Sequence, residues 1–238
     1  PGRQKEVCQW HVCYYSIIDG RRIMDKKVIV MTPCLENIYV DTQKCIWDLW
    51  KGADGYDIDY DFIRGHSVDR ARNLCVRQAM RLGGTHILFV DNDMTFGPDY
   101  LNKLMEHDVE VVMGYYDHRN PDPHDTRERT NLCKLGIVNY TEQITPAEMD
   151  EAREEGYDLV QVKGGGLGFC LIDLRIFSGL PYPWFDFHEY SDGNVLSEDL
   201  FFAERCKYAD IPIYADTRCY CGHIFRKRHG GYDTVHQD

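Results

Sequence analysis

Asp91-Asn92-Asp93 places two carboxylates one residue apart, directly behind the apolar run His86-Ile87-Leu88-Phe89-Val90. That run reads as a buried strand, and ligands of open α/β sheets bind beyond the carboxyl ends of such strands. Oxygen ligands projected there suit a hard divalent cation, Mg²⁺ or Mn²⁺. A bare Asp-x-Asp also occurs as a solvated turn with Asx hydrogen bonds, and the position behind the strand favours the metal reading. A second acidic pair, Glu198-Asp199, opens a helix, where carboxylates ordinarily offset the helix dipole. His223 closes Cys219-Tyr220-Cys221-Gly222-His223, residue types that bind zinc; a second matching cluster is lacking, and Cys8, His11 and Cys13 make only another half-site. The glycines of Gly164-Gly165-Gly166-Leu167-Gly168 match neither a P-loop nor a dinucleotide fingerprint, and read as a place where backbone passes close to a ligand.

The elements that must position these groups follow from periodicity. Residues 28–34 form a short apolar strand, and 38–50 carry Ile38, Cys45, Ile46, Leu49 and Trp50 at helical spacing. Residues 56–64 alternate as a second strand. Ser67 is placed to cap a helix whose stripe is Val68, Ala71, Cys75, Ala79 and Leu82, stopped by Gly83-Gly84. After the strand at 86–90 come a helix from Pro98 to about Glu106 and a strand at 109–115. This strand–helix alternation predicts an α/β fold with a mostly parallel central sheet and helices on both faces. The pattern fades over 117–156, apart from a short helix at Pro146–Glu154 opened by Thr145. It returns with strands at 158–163 and 169–172, a helix from Glu198 to about Tyr208, and a strand at 211–214.

The chain of 238 residues has 43% hydrophobic and 28% charged residues, enough to build a core and too apolar for disorder. Its formal net charge of −12 argues against gripping a phosphate backbone through bulk charge. No apolar run reaches the roughly 18 residues of a membrane span. Ten scattered cysteines, most within apolar runs, read as small hydrophobes in a reducing, cytoplasmic setting. The expected organisation is one domain at 28–225 with a variable insertion at about 117–156. An N-terminal extension at 1–27 and a flexible basic tail at 226–238 flank it.

Taken together, these motifs resemble a GT-A fold glycosyltransferase of the family 2-like group, over roughly residues 28–114 and 158–225. The resemblance implies a Rossmann-like GT-A sheet and a nucleotide-diphosphate sugar donor, with Mn²⁺ or Mg²⁺ as cofactor. Thr32-Pro33-Cys34 stands where such enzymes place a first-strand loop against the nucleotide base. Ala71-Arg72-Asn73 is similar to the Ala-Arg-Asn of the helix before the metal strand. Asp91-Asn92-Asp93 is similar to the DxD motif, with Asp91 and Asn92 on the nucleotide and Asp91 and Asp93 on the metal. Ser197-Glu198-Asp199 is similar to the acidic motif of the acceptor site, and His223 falls where relatives place a further metal ligand. One departure is plain: the usual Asp after the second strand has no counterpart near Arg64-Gly65-His66.

By that resemblance, the ion bridges Asp93 and the donor diphosphate, and Asp199 is the general base if the enzyme inverts. If it retains configuration, Asp199 or Glu198 orients the acceptor instead. Arg226, Lys227 and Arg228 would fold over the diphosphate as a lid, or form a solvated charge run. The donor would be a UDP- or GDP-sugar, and the acceptor hydroxyl one of a glycan, lipid, protein or modified nucleobase. Three rivals remain. A nucleotidyltransferase needs a Gly-rich, basic loop after strand one, which Thr32–Asp41 lacks. A transferase acting on modified bases of DNA is disfavoured by net charge. A non-catalytic nucleotide-sugar binding module would not require both aspartates, Asp199 and His223 together.

Overall fold

The computed structural model describes residues 26–118, 128–135, 140, 142–190, 193 and 195–224 in full. Of the strands at 6–8, 11–13, 15–18, 21–24, 225–229 and 232–236 it describes the backbone. Seven strands form the central sheet: β1 (Lys27–Cys34), β2 (Asp57–Arg64), β3 (His86–Val90), β4 (Val111–Tyr115), β5 (Leu159–Val162), β6 (Phe169–Asp173) and β7 (Ile213–Tyr220). Their order is β5-β7-β4-β6-β3-β1-β2. β2 and β3 run parallel to β1, and β7 runs parallel to β4. β6 is antiparallel to both β3 and β4, and β5 is antiparallel to β7. Five strands therefore point one way, a mostly parallel sheet.

Among the described residues, the helices are α1 (Val40–Gly52), α2 (Val68–Arg81), α3 (Tyr100–Glu106), α4 (Pro146–Glu154) and α5 (Glu198–Tyr208). The period-two alternation of the strands decides which helix lies where. Ile29, Met31, Ile87 and Phe89 face one core with Cys75, Val76 and Ala79 of α2, Met149 of α4, and Phe202 and Cys206 of α5. Val28, Val30, Leu88 and Val90 face the other with Ile46 and Leu49 of α1 and Leu101 and Leu104 of α3. Each such side chain, when fully buried, contributes about 1.5–3 kcal/mol. Helices thus cover both faces, as the alternation of elements predicts.

Local signals explain the element ends. α2 stops where Gly83 takes a φ of +73°, a left-handed turn that a side chain disfavours. Thr145 opens α4 with a capping box: Glu148 N donates to Thr145 Oγ1 at 3.2 Å, and Thr145 N donates back to Glu148 Oε2 at 2.9 Å. The strand expected at 211–214 runs on to Tyr220 and carries the chain across the sheet's carboxyl edge. Within the 117–156 region, Leu132–Cys133 pairs antiparallel with Gly164–Gly165. Residues 119–127, 136–139 and 141 of that insertion lie outside the described residues.

In the expected N-terminal extension, Glu6–Cys8 pairs with His11–Cys13, and Tyr15–Ile18 pairs with Arg21–Met24, both apart from the central sheet. Where the sequence predicts a flexible tail, the backbone of Phe225–His229 pairs antiparallel with Tyr232–His236. The side chains of Cys8, His11, Cys13, Arg226, Lys227 and Arg228 lie outside the described residues. Among the described residues, no helix is long and apolar enough to cross a membrane.

Candidate active site

The carboxyl ends of β1, β2 and β3 open into a cleft of about 450 Å³. Pro33, Cys34 and Leu35 line it from the end of β1, His66 and Ser67 from the β2–α2 turn, and Val68 and Ala71 from the first turn of α2; Asp91, Asn92 and Asp93 line it behind β3. His223 completes the lining from the far end of the chain. Because the strands neighbour one another in the order β3-β1-β2 at about 4.8 Å spacing, the β3 and β2 ends stand roughly 10 Å apart.

A short pairing delivers His223 to this place. Gly222 and His223 lie antiparallel to Thr95 and Met94, and Ile224 N donates to Asp93 O at 2.8 Å. As a result His223 Nε2 sits 3.3 Å from Asp93 Oδ1, with side-chain exposures of 13% and 17%. An imidazole and a carboxylate, both lining the cleft, are groups able to ligate a divalent cation. Among the described residues, no three His, Cys, Asp or Glu side chains gather into a metal cluster.

Asp91, also at the cleft, is held from behind. Its Oδ1 lies 3.1 Å from Arg72 Nη2, and the same nitrogen donates to its Oδ2 at 3.2 Å. Arg72 Nε donates to Glu198 Oε1 at 3.2 Å, so one buried guanidinium ties the β3 end to the start of α5. Burial opposes the charge on Arg72, but Asp91, Glu198 and Asp199 outweigh it and hold its pKa above the ordinary value. Burial, with Asp199 adding to it, raises the Glu198 pKa over the opposing pull of Arg72. Arg72, placed by resemblance at the nucleotide, is a brace buried beneath the cleft. Its neighbour Asn73 does similar work: Nδ2 donates to Phe185 O at 2.7 Å, and Oδ1 accepts from Trp184 N at 3.1 Å.

Asn92 ties the cleft lip. Its Nδ2 donates to Asn37 O at 2.7 Å, and its carbonyl accepts from Tyr39 N at 3.0 Å and Thr42 Oγ1 at 3.1 Å. Thr32 is fully buried, while Pro33 and Cys34 after it reach the cleft. Burial pushes the Cys34 thiol up, with Arg64 pulling the other way. Asp199 is half-buried at the head of α5, and its Oδ1 accepts from Leu200 N at 2.8 Å and from Ser197 Oγ. The acidic first turn therefore divides: Glu198 turns inward to Arg72, and Asp199 binds its own helix start.

Tyr116, which periodicity does not single out, sits at the centre of these groups. Burial drives its phenol well above the ordinary value, with Asp91 and Asp199 adding to the effect. Its ring meets His223 edge-on at 5.2 Å between centroids. Its oxygen accepts from Gly168 N at 3.3 Å. The only signal for it in the sequence is its place just past β4, at the same sheet edge as Asp91. Tyr116 also corrects the reading of the glycine cluster as a backbone passage beside a ligand. A Cβ on Gly168 would stand 2.9 Å from the Tyr116 oxygen, and one on Gly164 2.6 Å from Ala203 Cβ. These glycines make room for the protein's own side chains.

Cys219 and Cys221 do not form a zinc half-site with His223. Both are buried, and their thiols donate to Tyr100 O at 3.9 Å and Cys219 O at 3.7 Å. Burial raises the pKa of both, which keeps them protonated and poor ligands.

Fold and site together describe a mostly parallel α/β protein with a polar cleft across its strand ends. No family model matches the sequence, and no curated protein matches it. Among solved structures it is similar to A197 from STIV, at 18% identity over 84% of this chain and 86% of that chain, with a TM-score of 0.55. That likeness is one of fold.

Proposed function

We propose that the chain is a metal-dependent glycosyltransferase, moving a sugar from a nucleotide-diphosphate sugar to an acceptor hydroxyl. The observation that carries this reading is the Asp93–His223 pair, 3.3 Å apart, on the rim of a cleft that spans three strand ends. Charge is concentrated at the β3 end, in Asp91 and Asp93, while Pro33 and Cys34 in the middle and Ser67 and Val68 at the β2 end carry none. A nucleoside diphosphate divides its charge the same way over a comparable length. Its diphosphate would lie at Asp93 and His223, and its base near His66.

Asp93 and His223 would hold Mn²⁺ or Mg²⁺, which when bound supplies neutralisation of charge on the leaving diphosphate. The chain's own residues do the rest. Arg72 fixes Asp91 against Glu198 and so sets the β3 end relative to α5. Asp199, which keeps Oδ1 on its helix start, would take the acceptor proton on Oδ2.

The test is a donor-hydrolysis screen of UDP-, GDP- and TDP-sugars with Mn²⁺. Turnover of one donor, lost on adding EDTA, is the expected result. Nucleotide binding that is indifferent to metal and to Asp93→Ala would overturn the reading.

A further inference from the structure

The surface just before α5 leads the chain into Asp199. That surface is a short hairpin in which His188 pairs with Leu196 and Glu189 with Val195, running directly into Ser197-Glu198-Asp199. Tyr190 is 44% exposed, and its ring is met edge-on by His188 at 4.8 Å between centroids. A second, half-buried ring is tied to α5 itself. Tyr140 donates to Glu204 Oε1 of α5 at 2.8 Å, Lys163 Nζ stands 4.1 Å over its face, and Tyr190 is among the groups that raise its phenol. Exposed Glu189 adds a carboxylate to this surface.

We propose that this surface is an acceptor subsite for a saccharide, with Tyr190 as the stacking ring. The inference rests on the glycosyltransferase reading and names its acceptor class. An exposed ring beside an exposed carboxylate suits a ligand with an apolar C–H face and a rim of hydroxyl donors, which is the make-up of a pyranose. Carboxylates at the rings and a net charge of −12 oppose a phosphate-bearing acceptor, nucleic acid included. Stacking fixes the sugar plane, and carboxylate acceptors fix its rotation. Together they select which hydroxyl meets Asp199.

The experiment incubates the protein with the donor found by the hydrolysis screen, Mn²⁺, and three acceptor types. These are methyl glycosides and disaccharides of glucose, galactose, mannose and N-acetylglucosamine, a Ser/Thr peptide, and a lipid alcohol in detergent. Mass spectrometry should find one added sugar on a saccharide. Tyr190→Ala should raise KM for that saccharide about tenfold, well beyond its effect on kcat, and Tyr190→Phe, which keeps the ring, should restore it. Transfer to the peptide or lipid alone, or a saccharide KM unmoved by Tyr190→Ala, overturns the proposal while leaving the transferase reading standing. Absence of turnover with every donor overturns that reading first, and this one with it.

Discussion

Arg72 and Glu198 lie 126 positions apart in the chain, yet Arg72 Nε donates to Glu198 Oε1 at 3.2 Å in the interior. The same guanidinium faces Asp91, so the strand end bearing the acidic motif and the helix that opens with Glu198 and Asp199 share one rigid post. Removing one partner of a buried ion pair leaves the others uncompensated, which costs about 3–5 kcal/mol. Arg72→Met should therefore lower stability by about that much in urea unfolding. Arg72→Lys should recover little, because a compact ammonium lacks the spread, planar donors with which Nε reaches Glu198 and Nη2 reaches Asp91. An exposed, weakly coupled Arg72 would show a loss under 1 kcal/mol.

The Asp93–His223 pair leads to a metal-dependence prediction. Calorimetric binding of UDP or GDP should require Mn²⁺ or Mg²⁺ and weaken with either Asp93→Ala or His223→Ala. If both act through one ion, the double variant should lose little more than the worse single one. Additive losses would separate the two residues.

Asp199→Asn tests the base without disturbing the helix. Asparagine keeps an oxygen where Oδ1 accepts from Leu200 N and Ser197 Oγ, so the start of α5 survives. It cannot take a proton, so kcat for transfer should drop about 10²–10⁴-fold with nucleotide affinity nearly unchanged. Near-normal transfer would return Asp199 to a purely capping role.

Away from the cleft, Asp216 on β7 sets a pH dependence. Burial pushes its pKa up, but hydrogen bonds from Arg218 and His107 outweigh that and leave it below the usual carboxylate range. The folded state thus favours the charged form. Its contribution is complete above the unfolded value of about 3.9 and is lost as pH falls through the lower folded value. Asp216→Asn should be destabilised most near pH 6, with the gap to wild type closing below about pH 4. A gap that stays constant down to pH 2 would rule out the linkage.

Much of this architecture is legible in the sequence, and the exceptions share a physical cause. Continuous apolar runs mark β1 and β3, which are buried on both faces, and alternation marks β2, because each leaves a pattern in the residue order. Strand direction is not encoded that way. Phe169–Asp173 is buried on both faces, and nothing in such a run distinguishes the antiparallel β6 from a parallel strand. The α2 stripe was expected to bury Val68, which is 36% exposed, while Arg72 and Asn73 are inside. They are buried because their partners, Trp184, Phe185 and Glu198, arrive from more than a hundred residues away. His223 reaches Asp93 through a two-residue pairing, too short to leave a periodic signal.

The packing of Tyr116 against the glycine cluster gives a prediction of its own. A Cβ built on Gly166 collides with the Tyr116 hydroxyl, whereas the next nearest atoms, Tyr116 Cζ and Asn131 Cβ, are 3.3 and 3.6 Å away. The obstacle is the oxygen, not the ring. Gly166→Ala should therefore destabilise by about 1–3 kcal/mol, the usual range for overpacking a filled interior. Tyr116→Phe alone removes the acceptor of Gly168 N and should lose about 1 kcal/mol. Combined, the two changes should be less destabilising than their sum, because the added methyl enters space that the hydroxyl has left. Thermal unfolding of the two single variants and the double variant measures the coupling directly. Strict additivity would mean that Gly166 is required for its backbone conformation and that Tyr116 does not dictate the glycine.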